Sequence, residues 1–228
     1  MAIKAALFDA YGTLLDVGSA TNRLVASGRF PQLTDKADRL SDIWRLKQLH
    51  YSWLRATMGA YVPFWQCTQD ALDFALEQTG LASDDEMRTS LLQLYRDIAA
   101  YEDATRLLAQ LDEVPCAILS NGNHDMLQQA VTSSGLSSYL DKILSVEDVG
   151  IFKPSPAVYQ MGCDAYGISP DEVLFFSSNG WDIAGARYFG YQTIWVNRTN
   201  QVTERLGDPP HYEVSDLDAA LRIAKSLI

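Results

Sequence analysis

The chain has 228 residues, enough for one domain of ordinary size or a core carrying a smaller insertion, and with 47% of them hydrophobic it can bury a core. Its 18 Lys and Arg against 29 Asp and Glu leave a net charge of -11, and no Lys/Arg run offsets it, which argues against nucleic acid and membrane surfaces as partners. Cys67, Cys116 and Cys163 are odd in number and widely spaced, with no CxxC pair, so they read as core thiols of a cytoplasmic protein rather than a disulfide framework or a zinc site.

Along the chain, Lys4 to Phe8 reads as a buried strand; the apolar run meets Asp9 too soon to be a signal peptide or a membrane span. The turn Asp9-Ala10-Tyr11-Gly12-Thr13 follows, and the pattern then becomes helical with no strand until about Cys116. From Asp38 to Met58, helix formers and large apolar groups such as Trp44, Leu49 and Trp53 occupy more than one face, as in a helix between two layers. Further helices are expected over Cys67 to Gln78 and Asp84 to Ala99. Residues 17–98 are thus expected to form an all-helical cap inserted into a core made of 1–16 and 99–228. Beyond Ala100, apolar runs at Cys116 to Leu119, Ile143 to Ser145, Val173 to Phe176 and Thr193 to Val196 alternate with helical patterns, the sign of βαβ units. The intervening helices should stop at Gly135, Gly167 and Gly190. The expected fold class is α/β, a Rossmann-like, doubly wound parallel sheet with the helical cap inserted.

Ligands of such a sheet bind beyond the carboxyl ends of its strands. Asp9 and Thr13 follow the first strand, Ser120 and Asn121 the second, and Ser177, Ser178, Asn179 and Asp182 another, while Lys153 opens a loop before a helix. One polar residue after a strand is ordinarily a cap or turn former. Four such places, with two carboxylates and a lysine among them, point to a reaction site.

Four segments carry a resemblance: Phe8-Asp9-Ala10-Tyr11-Gly12-Thr13-Leu14, Leu119-Ser120-Asn121-Gly122, Lys153-Pro154 and Ser177-Ser178-Asn179-Gly180-Trp181-Asp182. They resemble the ordered motifs of the haloacid dehalogenase superfamily. Most of that superfamily are phosphatases with Asp-x-Asp in the first motif and a further metal-holding acid in the last. Here Tyr11 stands at the place of the second Asp and Ser177 at that of the acid, which weakens the case for magnesium and for phosphoryl transfer. These departures, together with Phe152-Lys153-Pro154 and the helix from Trp44 to Arg55, resemble the L-2-haloacid dehalogenases. Leu46 and His50 stand where that subfamily usually has Gln and Glu. Leu46, if it lines the mouth of the site, would change the preference for acids, and His50 reads as a surface substitution.

The resemblance implies a hydrolase that turns short L-2-haloalkanoic acids into D-2-hydroxy acids without metal or cofactor, its partners being the 2-halocarboxylate and halide. Asp9 is expected to attack C2, expel halide and form an aspartyl ester that water then hydrolyses. Lys153 would keep Asp9 ionised. Ser120 and the backbone N–H groups near Ala10, Tyr11 and Asn121 would hold the substrate carboxylate, while Arg45, Asn121 and the edge of Trp181 would receive the halide. Thr13 would hydrogen-bond Asp9, and Tyr159 would tie down Lys153 or the water. Ser177, Asn179 and Asp182 would position both, with Asp182 taking the water's proton. Leu49, Phe64, Tyr11 and Trp181 are taken as apolar lining. Read as structure alone, Asp182 is a helix N-terminal charge worth about 0.3 to 1 kcal/mol, Arg45 a surface ion pair, and the aromatics core packing. A magnesium-dependent phosphatase, a fluoroacetate-cleaving variant and a catalytically silent binder of organic acids remain alternatives. The subfamily resemblance implies a homodimer, with the aromatics from Tyr51 to Tyr61 as its surface.

Overall fold

The run Ala5–Phe8 forms a central strand, β1, in the computed structural model, and all four residues are buried on both faces, which is why the run shows no polar alternation. The structure describes residues 2–82 and 84–228, with Ser19 and Ala20 in backbone only; Met1 and Ser83, which fall in the expected core and cap segments, lie outside the described residues. The strands β2 (Cys116–Ser120), β3 (Lys142–Ser145), β4 (Val173–Ser177), β5 (Gln192–Val196) and β6 (Tyr212–Val214) complete one sheet in the order β3-β2-β1-β4-β5-β6. Every neighbouring pair is parallel. The order reverses direction at β1, so a crevice opens at its carboxyl end. Phe8 lies level with Ile118 and Phe176 and stacks on Phe176 at 4.6 Å, so Asp9 emerges beside the ends of β2 and β4.

Between β1 and β2 the chain is helical: α1 (Val17–Ala26), α2 (Ala37–Met58), α3 (Phe64–Thr79) and α4 (Asp85–Gln93). The Trp44 indole N–H donates to the Thr68 carbonyl (2.8 Å) and the Gln48 amide to the Thr68 hydroxyl (2.7 Å), so polar groups buried between α2 and α3 are paired. The chain leaves and rejoins the sheet at one point. Leu15 and Ala100 form an antiparallel bridge, flanked by Asp16 N–H to Ala99 O and Tyr101 N–H to Leu14 O, both 2.9 Å.

The remaining helices are α5 (Glu102–Leu108), α6 (His124–Ser133), α7 (Pro156–Tyr166), α8 (Gly180–Phe189) and α9 (Leu217–Leu227). Gly135, Gly167 and Gly190 follow α6, α7 and α8 with positive φ, as expected of helix stops. The helix expected over Asp84 to Ala99 ends at Gln93, because Tyr95 turns inward and packs against Tyr11 (5.4 Å) and Trp44 (5.1 Å). The surface expected from Tyr51 to Tyr61 differs in chemistry: Tyr51, Trp53 and Tyr61 are half-buried, and the exposed groups are the aliphatic Leu54 and Met58, with Leu46 nearer the start of the same helix. Among the described residues no helix is long and apolar enough to cross a membrane.

Candidate active site

The turn after β1 begins with Asp9 and depends on Gly12, whose φ of +87° suits only glycine; a Cβ there would also lie 3.3 Å from the Ser178 hydroxyl. Asp9 is nearly buried, and its two oxygens differ. Oδ2 accepts from the Asn179 amide (2.9 Å) and the Thr13 hydroxyl (3.1 Å), whereas among the described residues Oδ1 meets only the Lys153 ammonium, at 3.4 Å. The Thr13 hydroxyl is itself fixed by the Ser178 backbone N–H at 2.8 Å.

Lys153 is 1% exposed, a placement that demands compensation for its charge. Besides Asp9, its ammonium donates to Asp182 Oδ2 at 2.8 Å and lies 5.0 Å from the centre of the Phe175 ring. Asp182, in the first turn of α8, is fully buried and also accepts from the Ser177 hydroxyl (3.2 Å) and the Tyr159 hydroxyl (2.8 Å). Burial pushes the Asp182 carboxyl up to about 6, the neighbouring Lys153 charge opposing that rise. Burial also holds the Tyr159 phenol well above its ordinary value, so it serves as a neutral donor. Gly185 makes this packing fit, since a Cβ there would lie 2.5 Å from the Tyr159 hydroxyl.

Donors without charge gather beside Asp9. Among the described residues the backbone N–H groups of Ala10, Tyr11 and Asn121 give no hydrogen bond to the protein. The Ser120 hydroxyl accepts from Gly122 N–H (3.2 Å), which leaves its own proton to give, and Asn121 Oδ1 accepts from Lys153 N–H (2.9 Å), which turns the amide nitrogen of Asn121 outward from that bond. Such a set suits a carboxylate.

Several expected placements need correction. Asn179 does not hold Lys153; its amide bridges Asp9 and the Arg45 guanidinium, which donates to Asn179 Oδ1 at 2.5 Å. Arg45 therefore meets the core at Asn179, while Trp181 packs edge-on against Trp53 at 5.4 Å. Asp182 is sealed, with both oxygens already bonded, so water cannot touch it directly. Tyr159 ties Asp182 rather than Lys153. The Tyr11 hydroxyl donates to the Tyr95 carbonyl (3.1 Å), and its ring is clamped in the core. Phe64 is buried 5.9 Å from Phe152, Leu49 is half-buried on α2, and Leu46 is 52% exposed.

Three contributors had no predicted role. Ser178 holds Thr13, and its position in the motif could have signalled that. Asn123 accepts from Trp65 N–H in α3 (2.6 Å) and donates to Glu147 (3.2 Å), linking the helical insertion to the loop after β2. Arg198 pairs with Asp103 (2.8 Å) and donates to the Thr13 carbonyl (3.1 Å), bracing the turn after Asp9; no local pattern joins residues so far apart.

Two cavities flank the centre. One, of about 360 Å³, is bordered by Gly12, Trp44, Arg45 and Tyr95; the other, of about 530 Å³, by Trp53, Phe152, Lys153 and Trp181. The residues do not fit a magnesium site. The Lys153 ammonium stands between Asp9 and Asp182, where a cation would bind, and Ser177 supplies a hydroxyl in place of a third carboxylate.

A family model described as haloacid dehalogenase-like hydrolase matches residues 3–190. The chain is 44% identical over 217 residues to (S)-2-haloacid dehalogenase 1 of Pseudomonas sp. (strain CBS-3), covering 94% of this chain and 93% of that one. It is 43% identical to (S)-2-haloacid dehalogenase 4A of Burkholderia cepacia, covering 94% and 89%. In structure it is similar to the L-2-haloacid dehalogenase from Xanthobacter autotrophicus with chloropropionic acid covalently bound, with a TM-score of 0.90, 35% identity and coverage of 99% and 100%.

Proposed function

The chain belongs to the haloacid dehalogenase-like hydrolases and hydrolyses the carbon–halide bond of 2-haloacids; from that premise we propose that Asp9 Oδ1 is the nucleophile and that the reaction converts L-2-haloalkanoic acids to D-2-hydroxy acids. The observation that carries this is the asymmetry of Asp9: Oδ2 is held by Asn179 and Thr13, while among the described residues Oδ1 meets only Lys153.

Oδ1 attacks C2 opposite the halogen, the carbon–halogen bond breaks with its electron pair leaving on halide, and C2 inverts. The substrate carboxylate rests on the Ala10, Tyr11 and Asn121 N–H groups and the Ser120 hydroxyl, donors that hold an anion without lowering the nucleophile's charge. Arg45, held by Asn179 at the border of the 360 Å³ cavity, neutralises the departing halide. Water then adds to the ester carbonyl carbon, and the charge gathering on Oδ2 is stabilised by the Asn179 amide and Thr13 hydroxyl. The water's proton moves to Lys153 as Lys153 gives one to Asp182, whose proton affinity burial has raised. Cleavage of the bond from the ester carbonyl carbon to Oδ1 sends the electron pair to that oxygen, the remaining proton of the added water passes to it, and the hydroxy acid carrying the original Asp9 oxygen leaves with Asp9 restored as a carboxylate. Residues 17–98 act as the cap over this centre.

The test is halide release from each enantiomer of 2-chloropropionate, with and without a chelator, beside phosphate release from an aryl phosphate with magnesium. Release from the L-form alone, unaffected by chelator and abolished by Asp9→Asn, is the expected result, and a single turnover in ¹⁸O water should label Asp9 before product. Magnesium-dependent phosphate release without halide would overturn the reading. Two finer features belong to the same proposal. A homodimer is supported by Leu46, Leu54 and Met58, spaced along one stripe of α2 and all exposed, and light scattering on wild type and Leu54→Lys tests it. Cytoplasmic residence is supported by three buried, unpaired cysteines and is tested by cell fractionation.

A further inference from the structure

Arg198, in the loop that follows β5, reaches both chain segments that join the helical insertion to the core. On the outgoing segment its Nη2 donates to the Thr13 carbonyl at 3.1 Å. On the returning segment Nη1 and Nη2 donate to the two carboxylate oxygens of Asp103 at 2.8 and 3.0 Å, and the guanidinium carbon stands 3.9 Å from the centre of the Tyr101 ring. We infer that Arg198 is a positioning residue for carbon–halide cleavage, acting through Thr13 to hold Asp9 at its attacking angle, an inference that rests on the reading of Asp9 as nucleophile.

The line of contacts is short. Thr13 is fully buried, and its hydroxyl donates to Asp9 Oδ2 (3.1 Å) while its carbonyl is the group that Arg198 grips. A shift of that carbonyl carries the hydroxyl with it, and so turns the carboxylate plane that presents Oδ1 to the substrate. Asp103 anchors the guanidinium firmly, being nearly buried and itself accepting from the Leu217 N–H at the start of α9 (2.9 Å). Tyr101 is fixed by its own N–H to the Leu14 carbonyl, beside the Leu15–Ala100 bridge. One planar fork thus ties the outgoing and returning segments together across that bridge, so a tilt of the insertion is resisted at the turn that carries Asp9. A lysine would keep a point charge for Asp103 but would have neither the flat face for Tyr101 nor the fork that spans three oxygens. Arg106 offers a contrast: it forms a similar fork with Asp218, between α5 and α9 (3.0 and 2.7 Å), and among the described residues gives no hydrogen bond to the turn after Asp9.

The experiment follows halide release from L-2-chloropropionate, with kcat and KM resolved, for wild type, Arg198→Lys, Arg198→Gln and Arg106→Lys, beside urea unfolding of each. Arg198→Lys should lower kcat by about tenfold to a hundredfold, the scale of a misplaced reacting group, and leave KM little changed. Arg198→Gln should lower it at least as far, and should Gln prevent folding, the conservative Lys variant decides. Arg106→Lys should move the urea midpoint alone. A folded Arg198→Lys enzyme with wild-type kcat, or an Arg106→Lys enzyme that loses kcat as heavily, would overturn the positioning role while leaving the dehalogenase reading intact. Absence of halide release from the wild-type enzyme would remove both.

Discussion

Asp9 and Asp182 are two carboxylates that share one lysine and are made different by what surrounds them. Asp9 keeps a sliver of open surface and one lightly held oxygen, while Asp182 is sealed and triply bonded. Since burial raises the Asp182 value to about 6, its protonation as pH falls through that value weakens its hold on Lys153 and removes the proton acceptor. The acid limb of kcat should therefore lie near pH 6, well above an ordinary carboxylate, and be read from halide release at saturating substrate. Stability should move the other way. The native state binds this proton more tightly than the unfolded chain, so the contribution of Asp182 is greatest below the unfolded value and is lost as pH rises through about 6. Lys153→Met should abolish halide release and lower stability by about 3 to 5 kcal/mol, seen as a fall in the urea midpoint, because it strands two carboxylates in a site built around one cation.

Among the elements, α3 has an unusual beginning. Pro63 at its start offers no side-chain cap, and the Trp65 N–H is met instead from across the molecule by Asn123. Asn123→Ala should cost about 1 kcal/mol in chemical denaturation, and because Phe64 sits beside the freed N–H, KM for the haloacid should rise more than kcat falls. The sheet was legible in the sequence because its strands are buried on both faces and read as unbroken apolar runs at Cys116, Val173 and Thr193. Strand β6 was not: Tyr212–Val214 is a three-residue edge with its middle residue exposed, too short to show a pattern. The seven-residue α5 is likewise too short, whereas α9, with Leu217, Ala220, Leu221 and Ala224 buried along one stripe, had a readable period that the motif-centred reading passed over. At the site the motifs located Asp9, Thr13, Lys153, Ser177 and Asp182 together, while partners fixed by folding alone, such as Arg45 with Asn179 or Asp103 with Arg198, left no local trace.

For the whole molecule, a charge of -11 opposes every encounter with an anionic acid, and the cavity that Arg45 borders adds Asp38 and Asp42 beside it. Raising ionic strength from about 0.01 to 0.1 M shortens the reach of that field roughly threefold. The expected result is a rise of about twofold in kcat/KM for L-2-chloropropionate, measured with an inert sodium salt, and little change in kcat. The bridge between Leu15 and Ala100 bears on a different matter, the history and reuse of the fold. Because the path out of the sheet and the path back lie side by side, the helical insertion hangs from the core by two adjacent chain segments, as a pendant hangs from a ring, and touches the core again through Asn123 and Asn179. Exchanging that pendant for a different helical module would take two splices and leave the strand order untouched.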